Sequence, residues 1–170
     1  MTLTILQEYF DDKRFKTYTD LGCGDWQIMK LINIPDNKIY KGYDIAKTVI
    51  DTNNLDYKKE NISFYHINNI DLIESADLLI IKDVMIHWTN ERVLYFINNI
   101  LPKFKYAIFT EDYCTDSNIL NADINFGQFR CIDITQPPFN SKSCKVISEY
   151  KTNSWNKRVY LYTNPVDPTE

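Results

Sequence analysis

The chain has 170 residues, 44% hydrophobic and 25% charged, with a formal net charge of −4. That length can bury one sizeable core, so a single domain over residues 1–170 is expected. The negative balance and scattered basic residues disfavour a nucleic-acid surface, which needs clustered cations. Four widely spaced cysteines (Cys23, Cys114, Cys131, Cys144) form no C-x-x-C pair, which argues against a zinc or disulfide framework. Residues 1–10 carry no basic start and no long apolar run, and no apolar stretch reaches transmembrane length. A cytoplasmic protein without a membrane partner is the expectation.

Leu3, Leu6, Tyr9 and Phe10 recur at helical spacing and predict an amphipathic helix within residues 1–16. Thr17–Leu21 has strand character and stops at Gly22-Cys23-Gly24. The two glycines reach positive φ cheaply and let backbone N–H groups approach a ligand. A helical pattern over Trp26–Ile32 follows and ends before Pro35. Strand, glycine turn and helix start together form the ligand-facing corner of a nucleotide-binding α/β unit. Trp26, at the helix start, stacks near a cofactor or joins the core.

Ile39–Asp44 is the second predicted strand, and Asp44 lies twenty residues beyond Gly24. An acidic side chain at that spacing is placed to hold a ribose diol, with Ile45 beside it. The alternative is that Asp44 only caps the helix that begins near Ala46. Ile62–Ile67 is a third strand, followed by Asn68 and Asn69. An amide there can meet an adenine edge or simply build an Asn-rich turn.

Ala76–Lys82 is a continuous apolar strand of the kind buried on both faces of a parallel sheet. Its carboxyl end leads into Asp83 and His87, four residues apart and able to share one face of a helical turn. Thr89 or Asn90 caps a helix whose buried stripe is Val93, Leu94, Ile97 and Leu101. Tyr106–Glu111 is a fifth strand. Residues 112–144 show no long helix or strand and read as an ordered substrate lid anchored by Phe126, Phe129 and Phe139. Lys145–Tyr150 and Arg158–Thr163 predict a terminal antiparallel pair joined at Thr152-Asn153-Ser154, and residues 164–170 a frayed tail. The sum is a Rossmann-like α/β domain: five parallel strands plus a terminal antiparallel pair, with helices on both faces.

Asp20-Leu21-Gly22-Cys23-Gly24 with Asp44 after the second strand resembles the cofactor site of class I S-adenosylmethionine-dependent methyltransferases. Gln27 stands where dinucleotide-binding proteins place a third glycine, which favours the methyl donor over NAD. A closer likeness is to small bacterial methyltransferases. It rests on Asp20-Leu21-Gly22-Cys23-Gly24-Asp25-Trp26, on Lys82-Asp83-Val84-Met85-Ile86-His87, and on residues 131–140, which end Pro137-Pro138-Phe139-Asn140. Many members of that group accompany surface-glycan pathways. The absence of a long helix after the fifth strand departs from the group's pattern.

The resemblance implies an enzyme that binds S-adenosylmethionine through Asp20, Gly22, Cys23, Gly24, Trp26, Asp44, Ile45, Asn68, Asn69 and Asp83. It implies O-methylation of a small molecule such as a sugar or nucleotide sugar, by a monomer or homodimer. An alcohol acceptor benefits from a general base, for which His87, Asp83 and Asp112 are the candidates. His87 leads because its ordinary pKa lies near working pH; His66, inside the third strand, reads as structural. Three alternatives stand beside this: N-methylation of a small-molecule or protein amine, a noncatalytic cofactor-binding regulatory partner, and a divalent metal held by Asp83, His87, Glu111 and Asp112.

Overall fold

The computed structural model describes residues 2–116, 118–152 and 155–165. Residues 153 and 154 of the expected turn and 166–170 of the expected tail lie outside the described residues. The chain divides into two compact units, Met1–Ile81 and Lys82–Glu170.

The first unit opens on α1 (Thr2–Asp11), which buries Leu6 and Phe10. Phe10 stacks on Tyr18 with ring centroids 4.0 Å apart. Strands β1 (Thr17–Leu21), β2 (Ile39–Asp44), β3 (Ile62–His66) and β4 (Leu78–Lys82) pair in parallel in the order β3-β2-β1-β4. Helix α2 (Lys47–Asp56) connects β2 to β3. Leu78, Leu79, Ile80 and Ile81 are all buried, as the unbroken apolar run requires. Each such side chain contributes about 2 kcal/mol of burial energy. The register sets Leu21 beside Tyr43, and Asp44 beside His66. The glycine loop, Asp44 and the Asn68-Asn69 turn therefore leave one and the same carboxyl edge of the sheet.

One predicted element is corrected. The helix expected over Trp26–Ile32 is only a 3-10 turn at Met29–Leu31. Trp26 sits at φ 59°, a left-handed conformation that cannot belong to a right-handed helix, and Asp25 Oδ1 accepts the Gln27 N–H at 3.2 Å. Local side-chain bonding has taken the place of the first helical turn.

In the second unit Thr89 caps α3 (Asn90–Tyr95), accepting the Arg92 N–H at 3.2 Å. The helical run widens over Phe96–Ile100 and tightens into a 3-10 turn at Leu101–Lys103, where Pro102 ends it. Strands β5 (Tyr106–Tyr113), β6 (Cys144–Lys151) and β7 (Asn156–Thr163) pair antiparallel in the order β5-β7-β6. β5 runs two residues past its predicted end because Asp112 and Tyr113 pair with Lys157 and Asn156 of β7.

Between β5 and β6 no helix or strand forms among the described residues. The segment is nevertheless tightly held at Arg130–Ile134, all buried to within 1%. Of the three aromatics expected to anchor it only Phe139 is buried, whereas Phe126 and Phe129 face solvent. No helix among the described residues is long and apolar enough to cross a membrane.

Candidate functional site

The first unit builds a loop of backbone donors around Asp44. Gly22 and Cys23 both donate their N–H groups to the Tyr43 carbonyl, at 2.8 and 3.1 Å. Gly24 donates to Asp44 Oδ2 at 3.0 Å, and Ala46 donates to Oδ1 at 2.8 Å. Gly22 and Gly24 adopt φ of 78° and 55°, which glycine reaches without a Cβ clash. A Cβ placed on Gly24 would meet nothing within 4 Å, so its open side faces outward and backbone is accessible there. Asp44 thus closes the glycine loop and holds Ala46, the residue before α2, at once. Each of its oxygens retains a second lone pair for a hydroxyl donor.

Ile45 stands next to Asp44 with 62% of its surface exposed, an apolar side chain that a flat ring could cover. His66 Nε2 lies 3.1 Å from the Ile45 carbonyl and so acts as a donor, fixing that backbone. Asn69 Oδ1 accepts the Asp71 N–H at 3.0 Å and caps the 3-10 turn Ile70–Leu72. Asn68 is exposed at the same edge.

Three further residues lie beneath this surface. Asp20 is buried and accepts the Tyr40 hydroxyl at 2.5 Å. Burial, with the Asp20 charge added, drives the Tyr40 pKa far up, so this hydroxyl stays a donor. Trp26 is buried among Tyr57, Phe64 and Tyr40, at centroid distances of 5.1, 5.4 and 5.7 Å, and so belongs to the core. The Cys23 thiol is also buried and packs on Gly42; burial and the charges of Asp20 and Asp44 hold it protonated. These three shape the loop from below.

In the second unit Asp83 takes φ 57° directly after β4 and donates its N–H to the Thr110 carbonyl at 2.8 Å. Lys82 and Lys157 each approach one of its carboxylate oxygens, both at 2.5 Å. Lys157 also lies 2.7 Å from Asp112 Oδ1. Burial alone would lower the Lys157 pKa, but its contacts with Asp112 and Asp83 outweigh this and hold it above the usual lysine value. Asp83 and Asp112 are thereby committed to a shared cation.

His87, on the 3-10 turn Met85–His87, is exposed and sits with Nδ1 3.0 Å from the Gln128 carbonyl. A carbonyl only accepts, so Nδ1 is the donor here, and in the neutral tautomer this selects the lone pair lies on Nε2. Glu111 is wholly buried beneath the same turn and accepts the Met85 and Ile86 N–H groups at 3.2 and 3.4 Å. Burial, followed by the Asp83 charge, pushes its pKa up to about 8. The metal alternative is not met. Among the described residues no three His, Cys, Asp or Glu side chains gather as a ligand set, because Asp83 and Asp112 turn to Lys157 instead.

No family model and no curated protein matches the chain. Solved structures do. Human N-acetylserotonin methyltransferase in complex with SAM aligns over 95% of this chain and 54% of its own, at 17% identity and TM-score 0.63. The methyltransferase domain of bacterial CtHen1 aligns over 95% and 97%, at 14% identity and TM-score 0.66. Magnesium protoporphyrin IX methyltransferase from Synechocystis with bound SAH aligns over 95% and 81%, at 12% identity and TM-score 0.66. The fold is the class I methyltransferase fold. Its seven-stranded sheet is mostly parallel and ends in an antiparallel pair. This chain spans about half the length of the human protein and nearly all of the bacterial domain.

Within that methyltransferase fold, several supporting residues carry no sequence signal. Asn53, 1% exposed on α2, donates to the Gly24 carbonyl at 2.7 Å and pins the loop. It reads in sequence as an ordinary polar helix residue. Arg130 is buried and donates to the carbonyls of Ala122 and Trp88 at 2.8 and 2.9 Å and to Asn90 Oδ1. Its own N–H bonds the Ile86 carbonyl at 3.2 Å. The loop bearing Gln128 is thus strapped to the turn bearing His87. Only long-range pairing reveals Arg130 and Lys157.

Proposed function

We propose that the protein is an S-adenosylmethionine-dependent methyltransferase that O-methylates a small molecule, of the sugar or nucleotide-sugar class. The observation that carries this reading is the glycine loop closed onto the carboxylate of Asp44, on a fold that methyltransferases share. The residues present fit the cofactor. Gly24 leaves open space at its Cα, Asp44 offers spare lone pairs for a ribose diol, Ile45 an exposed apolar face and Asn68 an exposed amide. Asp20, Cys23 and Trp26 would serve by holding the loop's shape.

When bound, S-adenosylmethionine supplies a methyl group on a positively charged sulfonium sulfur. The chain's own part is to orient the acceptor and receive its proton. His87 is the base, because the Gln128 carbonyl fixes its tautomer and leaves Nε2 to accept a hydroxyl proton. Asp83 and Asp112 are unsuited to that task while Lys82 and Lys157 pair with them; they position the turn on which His87 stands. The 112–144 segment would exclude water, with its buried run Arg130–Ile134 as the inner wall.

Calorimetric titration with S-adenosylmethionine, S-adenosylhomocysteine and NAD tests the reading. Wild type should bind the first two at micromolar concentration and not NAD, and Asp44→Asn should weaken binding at least about tenfold, one lost ribose hydrogen bond to a charged group being worth about 1.5 kcal/mol or more. Failure of both methionine-derived ligands to bind overturns it.

A further inference from the structure

Beside His87 the second unit carries exposed aromatic surface that neither core packing nor proton transfer accounts for. Phe129 and Trp155 remain 41% and 43% exposed, although a chain of this size has interior enough to bury them. Their ring centroids lie 4.8 Å apart with planes tilted by 47°. The His87 ring stands 6.3 Å from Phe129, tilted by 59°. The three rings come from three distant places in the chain: the turn after β4, the β5–β6 connection and the β6–β7 connection.

The main chain beside each ring is held by hydrogen bonds. The Gln128 carbonyl, next to Phe129, accepts from His87 Nδ1, and Gly127 donates to the His87 carbonyl at 2.9 Å. Trp155 donates its N–H to Thr152 Oγ1 at 3.0 Å and accepts the Thr152 N–H at 2.8 Å. Aromatic faces held at fixed tilt but left in water form a binding platform at low entropic cost.

We infer that Phe129 and Trp155 form a stacking platform for an uncharged ring that carries a hydroxyl, and that the platform delivers this hydroxyl to His87 Nε2. The inference rests on the methyltransferase reading and changes its acceptor from a sugar or nucleotide sugar to a neutral hydroxylated ring, glycoside or phenol. The rings are tilted rather than parallel, so they offer one face to stack on rather than a slot. Three cations of the surrounding segments are already engaged. Lys82 and Lys157 meet Asp83 and Asp112, and Arg130 is buried on main-chain oxygens. Of these and Arg92, which meets the ring faces of Trp88 and Phe126, a diphosphate would have Arg92 alone to pair with, which favours a simple glycoside or phenol over a nucleotide sugar.

Phe129 and Trp155 are positioning residues, and the test separates their role from that of the cofactor loop. Saturation-transfer NMR is run on the protein with S-adenosylhomocysteine added, using methyl β-D-glucopyranoside, phenol and UDP-glucose as probes. Ring protons of the glucoside or of phenol should receive saturation from wild type, and whichever does so identifies the ring chemistry. That signal should fall about fivefold or more in Phe129→Ala and in Trp155→Ala. It should recover in Trp155→Phe and persist in His87→Ala. Three results overturn the inference: neither neutral probe is contacted, the signals ignore both alanine variants, or UDP-glucose competes the neutral probe away more strongly than the glucoside or phenol does. Calorimetry on the same samples reads S-adenosylhomocysteine affinity. If that is intact while the platform fails, only this inference falls; if it is absent, the methyltransferase reading falls.

Discussion

Replacing Asn53 with alanine isolates what holds the glycine loop. The amide is 1% exposed and makes a 2.7 Å bond to the Gly24 carbonyl. A hydrogen bond contributes about 1 kcal/mol net, and a carbonyl left without its donor in a half-buried setting costs about 1 kcal/mol more. The sum, about 2 kcal/mol, should lower Tm by about 4–8 °C for a chain of this size. The same change frees Gly24 from its φ of 55° and loosens the N–H that closes onto Asp44. S-adenosylmethionine affinity should drop about tenfold, equivalent to 1.4 kcal/mol. Differential scanning fluorimetry and calorimetric titration read the two effects. Asn54→Ala is the control, because Asn54 donates to the Phe64 and Ile50 carbonyls at 3.0 and 3.1 Å rather than to the loop. It should lose stability but keep affinity. Wild-type affinity in Asn53→Ala, or equal loss in the control, would refute the assignment of Asn53 to the loop.

Two other predictions follow from burial and sterics. Glu111 has a folded-state pKa of about 8, raised by burial and then by Asp83, against an ordinary value of 4.5. The folded state therefore binds more protons than the unfolded chain between those values, and stability falls as pH rises from 4.5 through about 8. Urea denaturation across this range should show a flatter slope in Glu111→Gln; an unchanged slope assigns the effect elsewhere. The glycines Gly24 and Gly42 should fail in different ways. Gly24→Ala meets no atom but must hold φ 55°, costing about 1–2 kcal/mol. Gly42→Ala drives a Cβ to 2.8 Å from Phe64 Cδ1 and 3.0 Å from Cys23 Sγ, an overpacking cost of about 1–3 kcal/mol. Thermal unfolding of Gly42→Ala with Phe64→Leu should recover part of the loss, whereas no second-site truncation should rescue Gly24→Ala.

The strands were legible because their signals are local. The strand-like runs at Thr17–Leu21, Ile39–Asp44 and Leu78–Lys82 need no distant partner to be read. The glycine pair and Asp44 were legible as a corner for the same reason. The helix after the loop was misread because apolar spacing over Trp26–Ile32 says nothing of a left-handed φ at its first residue. Asp83 and Asp112 look like free carboxylates in sequence, and only the antiparallel return of β7 brings Lys157 to them. Asn53 and Arg130 carry the same lesson: a buried polar side chain is specified by the main-chain oxygens it reaches, and those belong to other segments.

Arg130 has one further consequence, for how this protein can change. Two of its contacts are carbonyls, at Ala122 and Trp88, and its N–H meets a third at Ile86. Main-chain oxygens persist under any substitution, so this strap tolerates wide variation in the residues it spans. Phe126, Gln128 and Phe129 can be exchanged while the turn carrying His87 keeps its shape. The exposed loop and the turn are thus mutable on separate schedules, and descendants of this chain could change the one without rebuilding the other.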